Sequence, residues 1–270
     1  MTPTTCAVTG ANDGIGFETA LQLARHGMRV VVHARTAAKA EDACARLQKL
    51  ERDAHFVPVH GDFSRLSEVR LLARQISAAA PQLDVLVNNA GVFMTTRTET
   101  DDGCETTFQV NHLAPFLLTV SLLPQLKEAK AARVVNVSSM AHARGRVDLD
   151  DLDARRAWDG YGAYALSKLL NVHFTHELAR RLAGTRVTTN ALHPGVITTK
   201  LLRTGFGMGG ASLESGARTS VYCATHPALE GVTGRYFSDC KEARTAPQAD
   251  DPALEAKLWA LSERRAGLSQ

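Results

Sequence analysis

Apolar positions fall into two alternating rhythms along this chain: short unbroken runs, and longer stretches with a helical period. The runs are Cys6-Ala7-Val8-Thr9, Arg29 to Ala34 (RVVVHA), residues 55–60, Asp84 to Val87, Arg133 to Val137 (RVVNV) and Arg186 to Leu192. Runs of this kind read as strands buried on both faces. Between them, Ile15, Thr19, Ala20, Leu23 and Ala24 repeat at helical spacing, and residues 36–52 and 64–79 carry Ala- and Leu-rich patterns with many charges. A long helix from Tyr164 passes through Leu170, Phe174 and Leu178 to Gly184, and another is expected at 252–266. Strand and helix in alternation predict an α/β fold: a single doubly wound domain over 1–270, with a central, mostly parallel, seven-stranded sheet and helices on both faces. Two segments break the rhythm. Residues 140–160 read as a variable loop, and 199–215 read as a mobile apolar lid in which glycines mix with Leu202, Phe206 and Met208.

Polar residues and glycines gather where the apolar runs stop. In a doubly wound sheet, ligands bind at the carboxyl ends of the strands. That is where Gly10-Ala11-Asn12-Asp13-Gly14-Ile15-Gly16, Asp62, Asn88-Asn89-Ala90-Gly91, Ser138-Ser139 and His193-Pro194-Gly195 fall. The glycines of the first loop let backbone N–H groups approach a pyrophosphate at the positive end of the following helix. A plain tight turn is the other reading of such a loop, and its place between strand and helix favours dinucleotide binding.

The 270 residues, 44% of them hydrophobic, suffice for one sizeable core, and no Pro/Ser-rich linker divides them. A formal net charge of +3 with scattered Lys and Arg argues against a nucleic-acid partner. Cys6, Cys44, Cys104, Cys223 and Cys240 contain no Cys-x-x-Cys pair and predict free thiols in a reducing cytosol. The first strand begins so early that no signal peptide or membrane anchor is expected, which implies a cytoplasmic protein. Asp148, Asp150, Asp151 and Asp153 lack the glycine and glutamate of a calcium loop and read as a solvated loop. His173 and His176 lack a third ligand and read as ordinary helix histidines, so no metal site is expected.

Tyr164 and Lys168 stand four apart on the long helix, so both polar heads point to one side. At about 5 Å and an effective dielectric of about 20, the ammonium would favour tyrosinate by roughly 3 kcal/mol, or about two pK units. Such a tyrosine could act as a general acid and base. The pair alone also fits a surface helix with a snorkelling lysine.

With Thr9-Gly10-x-x-x-Gly14-Ile15-Gly16, Asn88-Asn89-Ala90-Gly91, Ser139 and Tyr164-x-x-x-Lys168 in this order, the chain resembles the short-chain dehydrogenase/reductase superfamily over essentially its whole length. VSSMAH (137–142), SKLLNVHFTHELARRL (167–182), VTTNALHPGV (187–196) and GRYFSDC (234–240), with the wide spacing from Ser139 to Tyr164, are similar to the retinol dehydrogenase and WW-domain oxidoreductase branch. The resemblance implies a Rossmann-type catalytic domain. Tyr164 would exchange a proton with the substrate oxygen, Lys168 would lower the tyrosine pKa and hold the nicotinamide ribose, and Ser139 would hydrogen-bond the substrate oxygen. Asn111 would complete a tetrad, its carbonyl holding a water near Lys168. Gly10, Asn12, Asp13, Gly14, Ile15 and Gly16 would cradle the phosphates. Asp62 would contact adenine, with Phe63 beside it. Asn89, Ala90, Gly91 and Val110 would line the cofactor, and Pro194, Gly195, Val196 and Thr198 would approach its carboxamide end.

Cofactor preference turns on the end of the second strand. An acid there would accept both ribose hydroxyls of NAD, whereas this chain has Ala34 followed by Arg35 and Thr36, which suit a 2′-phosphate. NADP (NADPH) is the expected cofactor, with NAD as the alternative; Asp13, an acid in the glycine loop, would weaken the preference if it approached the phosphate. Pro115 has Asn111 at i−4 and should break or kink a helix there, freeing the Asn111 carbonyl. The expected activity is hydride transfer between nicotinamide and a lipophilic aldehyde, ketone or alcohol, in a homodimer or homotetramer without a membrane anchor. A cofactor-sensing module without turnover is the rival reading.

Overall fold

In the computed structural model, which describes residues 4–207 and 209–268 but not the Phe206 side chain, one sheet collects all the strands. They are β1 (Thr5–Val8), β2 (Arg29–Ala34), β3 (Phe56–His60), β4 (Val85–Asn88), β5 (Ala132–Val137), β6 (Val187–His193), β7 (Tyr236–Ser238) and β8 (Lys241–Glu242). Their order is β3-β2-β1-β4-β5-β6-β7-β8. Every neighbouring pair is parallel except the last. The strand order reverses between β1 and β4, which opens a crevice beyond their carboxyl ends.

The sheet has eight strands where the sequence predicts seven. The additional one is the charged pair Lys241–Glu242, folded back on β7 through Asp239 and Cys240 at positive φ. A two-residue exposed edge strand carries no hydrophobic pattern to read.

Helices α1 (Gly14–Arg25), α2 (Ala37–Leu50) and α8 (Leu213–Thr225) cover one face. The other face carries α3 (Leu66–Ala79), α5 (Ala114–Glu128), α6 (Gly160–Arg181) and α9 (Pro252–Arg265). Successive strand residues point to opposite sides. Val30 and Val32 therefore pack under α1 and α2 while Val31 joins the core of the opposite face. This two-sided burial explains why the strands read as continuous apolar runs.

Pro115 does not sit at a simple break. The short α4 (Thr106–Phe108) widens into a π-helical turn over Gln109–Leu113, and α5 resumes with Pro115 in its first turn. Proline supplies no N–H to Asn111 at i−4 and is tolerated in a first helical turn, so the wider turn absorbs the mismatch.

Helix α9 is fastened at both ends. The buried Glu255 carboxylate accepts hydrogen bonds from His176 Nδ1 (2.9 Å), His173 Nδ1 (3.4 Å) and Arg180 on α6. Arg265 grips both oxygens of Asp153, at 2.7 and 2.6 Å. Asp153 is 5% exposed and also accepts the Glu105 N–H, so this end of the aspartate loop is structural instead of solvated. Among the described residues no helix is long and apolar enough to cross a membrane.

Two buried histidines make the fold sensitive to acid. His33 on β2 and His112 in the π turn are each pushed down to about 4 by burial. In the unfolded chain each titrates near 6.5. Above pH 6.5 both are neutral in either state and their full contribution is present. As pH falls from 6.5 to 4 the unfolded chain binds protons that the fold excludes, so stability is lost. The urea midpoint should therefore fall from pH 7 to pH 5, and a midpoint flat across this window contradicts the assignment.

Candidate active site

The glycine loop after β1 is held by side chains at the end of the sheet. Thr9 is fully buried; its hydroxyl accepts the N–H groups of Asn89 (2.9 Å) and Ala90 (3.0 Å), while Asn89 Nδ2 returns a bond to Thr9 O (2.8 Å). The N–H of Gly10 donates to His33 Nδ1 at 3.1 Å, and the opposite ring nitrogen meets the Gly61 carbonyl at 2.9 Å. A carbonyl only accepts, so Nε2 carries the proton and Nδ1 is free to receive Gly10. The ring stacks on Phe63 at 4.9 Å. His33 thus ties three strand ends together.

Gly10 and Gly14 adopt φ of +64° and +60°, where a side chain is strained. A Cβ on Gly16 would collide with Gly10 O and Asn89 Nδ2. Asp13 caps α1 by accepting the Gly14 N–H at 2.8 Å and pairs with Lys200 Nζ at 2.7 Å. The hydrogen bond from Lys200 holds this carboxyl below its ordinary value. The acid in the loop therefore has its own cation.

Asn111 is wholly buried in the π turn. Its Oδ1 accepts the Val92 N–H at 2.7 Å, and its Nδ2 donates to Val92 O (2.9 Å) and Ser167 Oγ (3.0 Å). One side chain thereby joins the loop after β4 to α6. Ser138 Oγ donates to Lys168 O at 2.7 Å, and Lys168 Nζ donates to Val137 O at 3.0 Å. These bonds fasten the end of β5 to α6. The Lys168 ammonium lies 5.6 Å from the Tyr164 ring centroid. A Cβ on Gly91 would meet Asn111 Oδ1 at 3.3 Å and Lys168 Nζ at 3.5 Å.

The electrostatics differ from the sequence expectation. Burial pushes Tyr164 up to about 12, against a hydrogen bond with Ser139 that pulls it down, and burial pushes Lys168 down to about 8. The lysine was expected to bring the tyrosine below its ordinary value. Desolvation, which spacing along a helix does not reveal, is the largest influence on Tyr164, and Lys168 is not among the groups that shift it.

A cleft of about 900 Å³ runs along the carboxyl edge. It is lined by Gly10, Asn12, Asp13, Gly14, Ile15 and Gly16, by Arg35, Asp62 and Phe63, by Asn89, Ala90, Gly91 and Val110, and by Ser139, Tyr164, Lys168, Pro194, Gly195 and Val196. Three expected residues do not line it. Thr36 precedes α2, Asn111 stands behind Gly91, and Thr198 exchanges two 2.7 Å hydrogen bonds with Gly210 at the base of the lid. Asp62 Oδ1 accepts the N–H (2.9 Å) and hydroxyl (2.8 Å) of Ser64.

The lid is not the glycine-rich loop expected. Lys200–Phe206 form the short helix α7, capped by Thr199, with Gly205 against the ring of Phe93. Phe93 in turn tilts against Tyr164 at 5.6 Å. The expectations for the Phe206 side chain and for Met208 lie outside the described residues. Sequence reasoning missed His33, Lys39, Phe93 and Lys200 as site residues. A histidine inside the apolar run RVVVHA was the one available signal, since a buried polar ring needs partners. Among the described residues, no cluster of three His, Cys, Asp or Glu side chains could hold a metal.

Comparison with known proteins gives a consistent picture. A family model described as short chain dehydrogenase matches residues 4–206. Mouse retinol dehydrogenase 14 is 41% identical over 288 residues, spanning 98% of this chain and 86% of that protein. Human retinol dehydrogenase 12 is 42% identical, spanning 94% of this chain and 84% of its own. A crystal structure of an uncharacterized protein from Mycobacterium paratuberculosis superposes with a TM-score of 0.82 at 34% identity, covering 98% of this chain and 95% of that one. Salutaridine reductase from Papaver somniferum shares the fold, with a TM-score of 0.72 at 23% identity over 87% of this chain and 99% of its own.

Proposed function

The chain belongs to the short chain dehydrogenase family, and from that membership we propose that it is an NADP-dependent reductase of lipophilic aldehydes or ketones. Membership of the family makes it an NAD(P)-dependent oxidoreductase acting on alcohol and carbonyl groups. The observation that carries the proposal is the cleft itself, which joins the cations Arg35 and Lys39 and the glycine loop to Tyr164 and Lys168.

The residues fit a dinucleotide. Gly10, Gly14 and Gly16 put no side chain between the loop backbone and the cleft they line, and the N-terminus of α1 faces the same cleft. A nicotinamide held in this cleft would supply hydride to the substrate carbon. Tyr164, whose pKa of about 12 keeps it protonated near neutrality, supplies a proton to the carbonyl oxygen. Ser139 hydrogen-bonds that oxygen as charge develops. Lys168 orients the ribose, and Asn111 holds the loop at Gly91 against α6. A tyrosine poised as an acid suits reduction, as does the mostly reduced cellular NADPH pool.

Leu201 packs with Tyr164, Ala141 and Phe93, and Met94, Met140, Val196 and Leu202 also line the cleft. This apolar rim supports a lipophilic substrate, and retinol, in the names of the relatives, belongs among the compounds tested. The five free cysteines support a cytoplasmic setting.

Tyr164→Phe removes the proton donor alone. Its kcat on the best substrate of an aldehyde and ketone panel should fall by at least about a hundredfold, with NADPH affinity nearly unchanged. Activity retained within about tenfold would show that another group moves the proton.

Arg35 is exposed at the mouth of the cleft with Lys39 nearby. Charge-assisted bonds to a 2′-phosphate, worth about 1.5–3 kcal/mol, imply a preference for NADPH over NADH of about tenfold to a hundredfold. Arg35→Ala should lose most of it, read as the ratio of kcat/KM for the two cofactors. Equal use of both by the wild type, or an unchanged ratio in the variant, contradicts the assignment.

A further inference from the structure

Ser139 is braced by a histidine outside the proposed tetrad. Its carbonyl oxygen accepts two bonds from His142, one from the backbone N–H at 3.1 Å and one from Nδ1 at 2.7 Å. A carbonyl offers no proton, so Nδ1 donates and Nε2 is left as an acceptor. That nitrogen receives the N–H of Ala246 at 3.1 Å. The ring is 4% exposed, packs on Tyr236 at 4.9 Å, and is held neutral by burial, which lowers its pKa. Gln248 adds a second stitch, Nε2 to Ala143 O at 2.7 Å, and Ala249 is fully buried against Leu169, Val172 and Ala191. The segment 246–249 between β8 and α9 is therefore sewn to the turn that begins at Ser139.

The Ser139 hydroxyl is directed by the same turn. Its Oγ accepts the Ala141 N–H at 3.2 Å, and it hydrogen-bonds Tyr164. A small shift of the turn would misdirect this hydroxyl.

We propose that His142 is a positioning residue, which transmits the anchoring of segment 246–249 to Ser139 and so aims the hydroxyl at the substrate oxygen. The inference rests on the reading of Ser139 as the group that meets that oxygen. His142→Gln retains a polar group near Nε2 but removes the Nδ1 donor. Ala246→Pro removes the other link without touching the histidine. Ala246 has φ −66° and ψ 148°, which proline adopts and which suits a residue before Pro247.

The experiment measures kcat for carbonyl reduction and Kd for NADPH in both variants and in the double variant. Each single variant should lower kcat about tenfold while cofactor Kd stays within about twofold, because a small misplacement costs turnover and not binding. The double variant should be no slower than His142→Gln, as expected for residues in one chain of contacts. A kcat within about twofold of wild type in both single variants, or a loss of cofactor binding in step with kcat, overturns the proposal. A wild type inactive on every carbonyl defeats the functional reading instead. The 13C signal of Tyr164 Cζ, assigned with Tyr164→Phe, then decides on His142 alone. It should shift in His142→Gln and in Ala246→Pro through the altered Ser139 bond, and unshifted signals overturn the proposal.

Discussion

Parallel strands that end inside a molecule leave backbone N–H and C=O groups without ladder partners, and each costs about 1–3 kcal/mol if it is buried unpaired. Side chains close this edge. Thr9 takes the amides of the loop after β4, His33 takes the Gly10 amide and the Gly61 carbonyl, and Asn111 takes both backbone groups of Val92. Ser138 Oγ donates to the Lys168 carbonyl and Lys168 Nζ to the Val137 carbonyl, tying β5 to α6. The cleft is what remains between these connections. Its shape follows from the need to satisfy the backbone, which is also why its floor is rigid enough to aim reacting groups.

Lys168 gives this edge its chemical character. It is 4% exposed, and burial alone accounts for its fall to about 8. A buried ammonium is costly unless other groups stabilise it. Its bond to Val137 O offsets part of that cost and holds the amine close to Gly91. Tyr164 responds in the opposite sense because burial penalises the phenolate. The two shifts have one origin. Together they leave a tyrosine that holds its proton and a lysine closer to neutrality than in water, an arrangement suited to delivering a proton.

The strands and most helices were legible in the sequence because burial on both faces writes itself as unbroken apolar runs. Gly10, Gly14 and Gly16 were legible because only glycine tolerates those torsions and contacts. Other features leave no periodic trace. Lys241–Glu242 pair as a strand without any apolar residue, and Lys200–Phe206 form a helix whose glycine resembles a loop signal until Phe93 is seen against it. Asp153 looked solvated because its partner Arg265 lies far along the chain. Pro115 announced a disturbance, and the π turn is the form it takes. Thr36 and Thr198 carried the right chemistry at the right strand ends, yet Thr198 bonds Gly210 and Thr36 stays outside the cleft.

In the proposed reaction the cleft is where hydride would pass between a nicotinamide and a carbonyl carbon. Stereospecifically deuterated NADPH, carrying the label at C4, tests this most directly when it is incubated with the protein and a lipophilic aldehyde. The account predicts one deuterium on the carbinol carbon of the alcohol from one of the two C4 epimers, and none with Tyr164→Phe on the same time scale. An alcohol without deuterium from either epimer, or tight NADPH binding with no alcohol from any carbonyl offered, would contradict it.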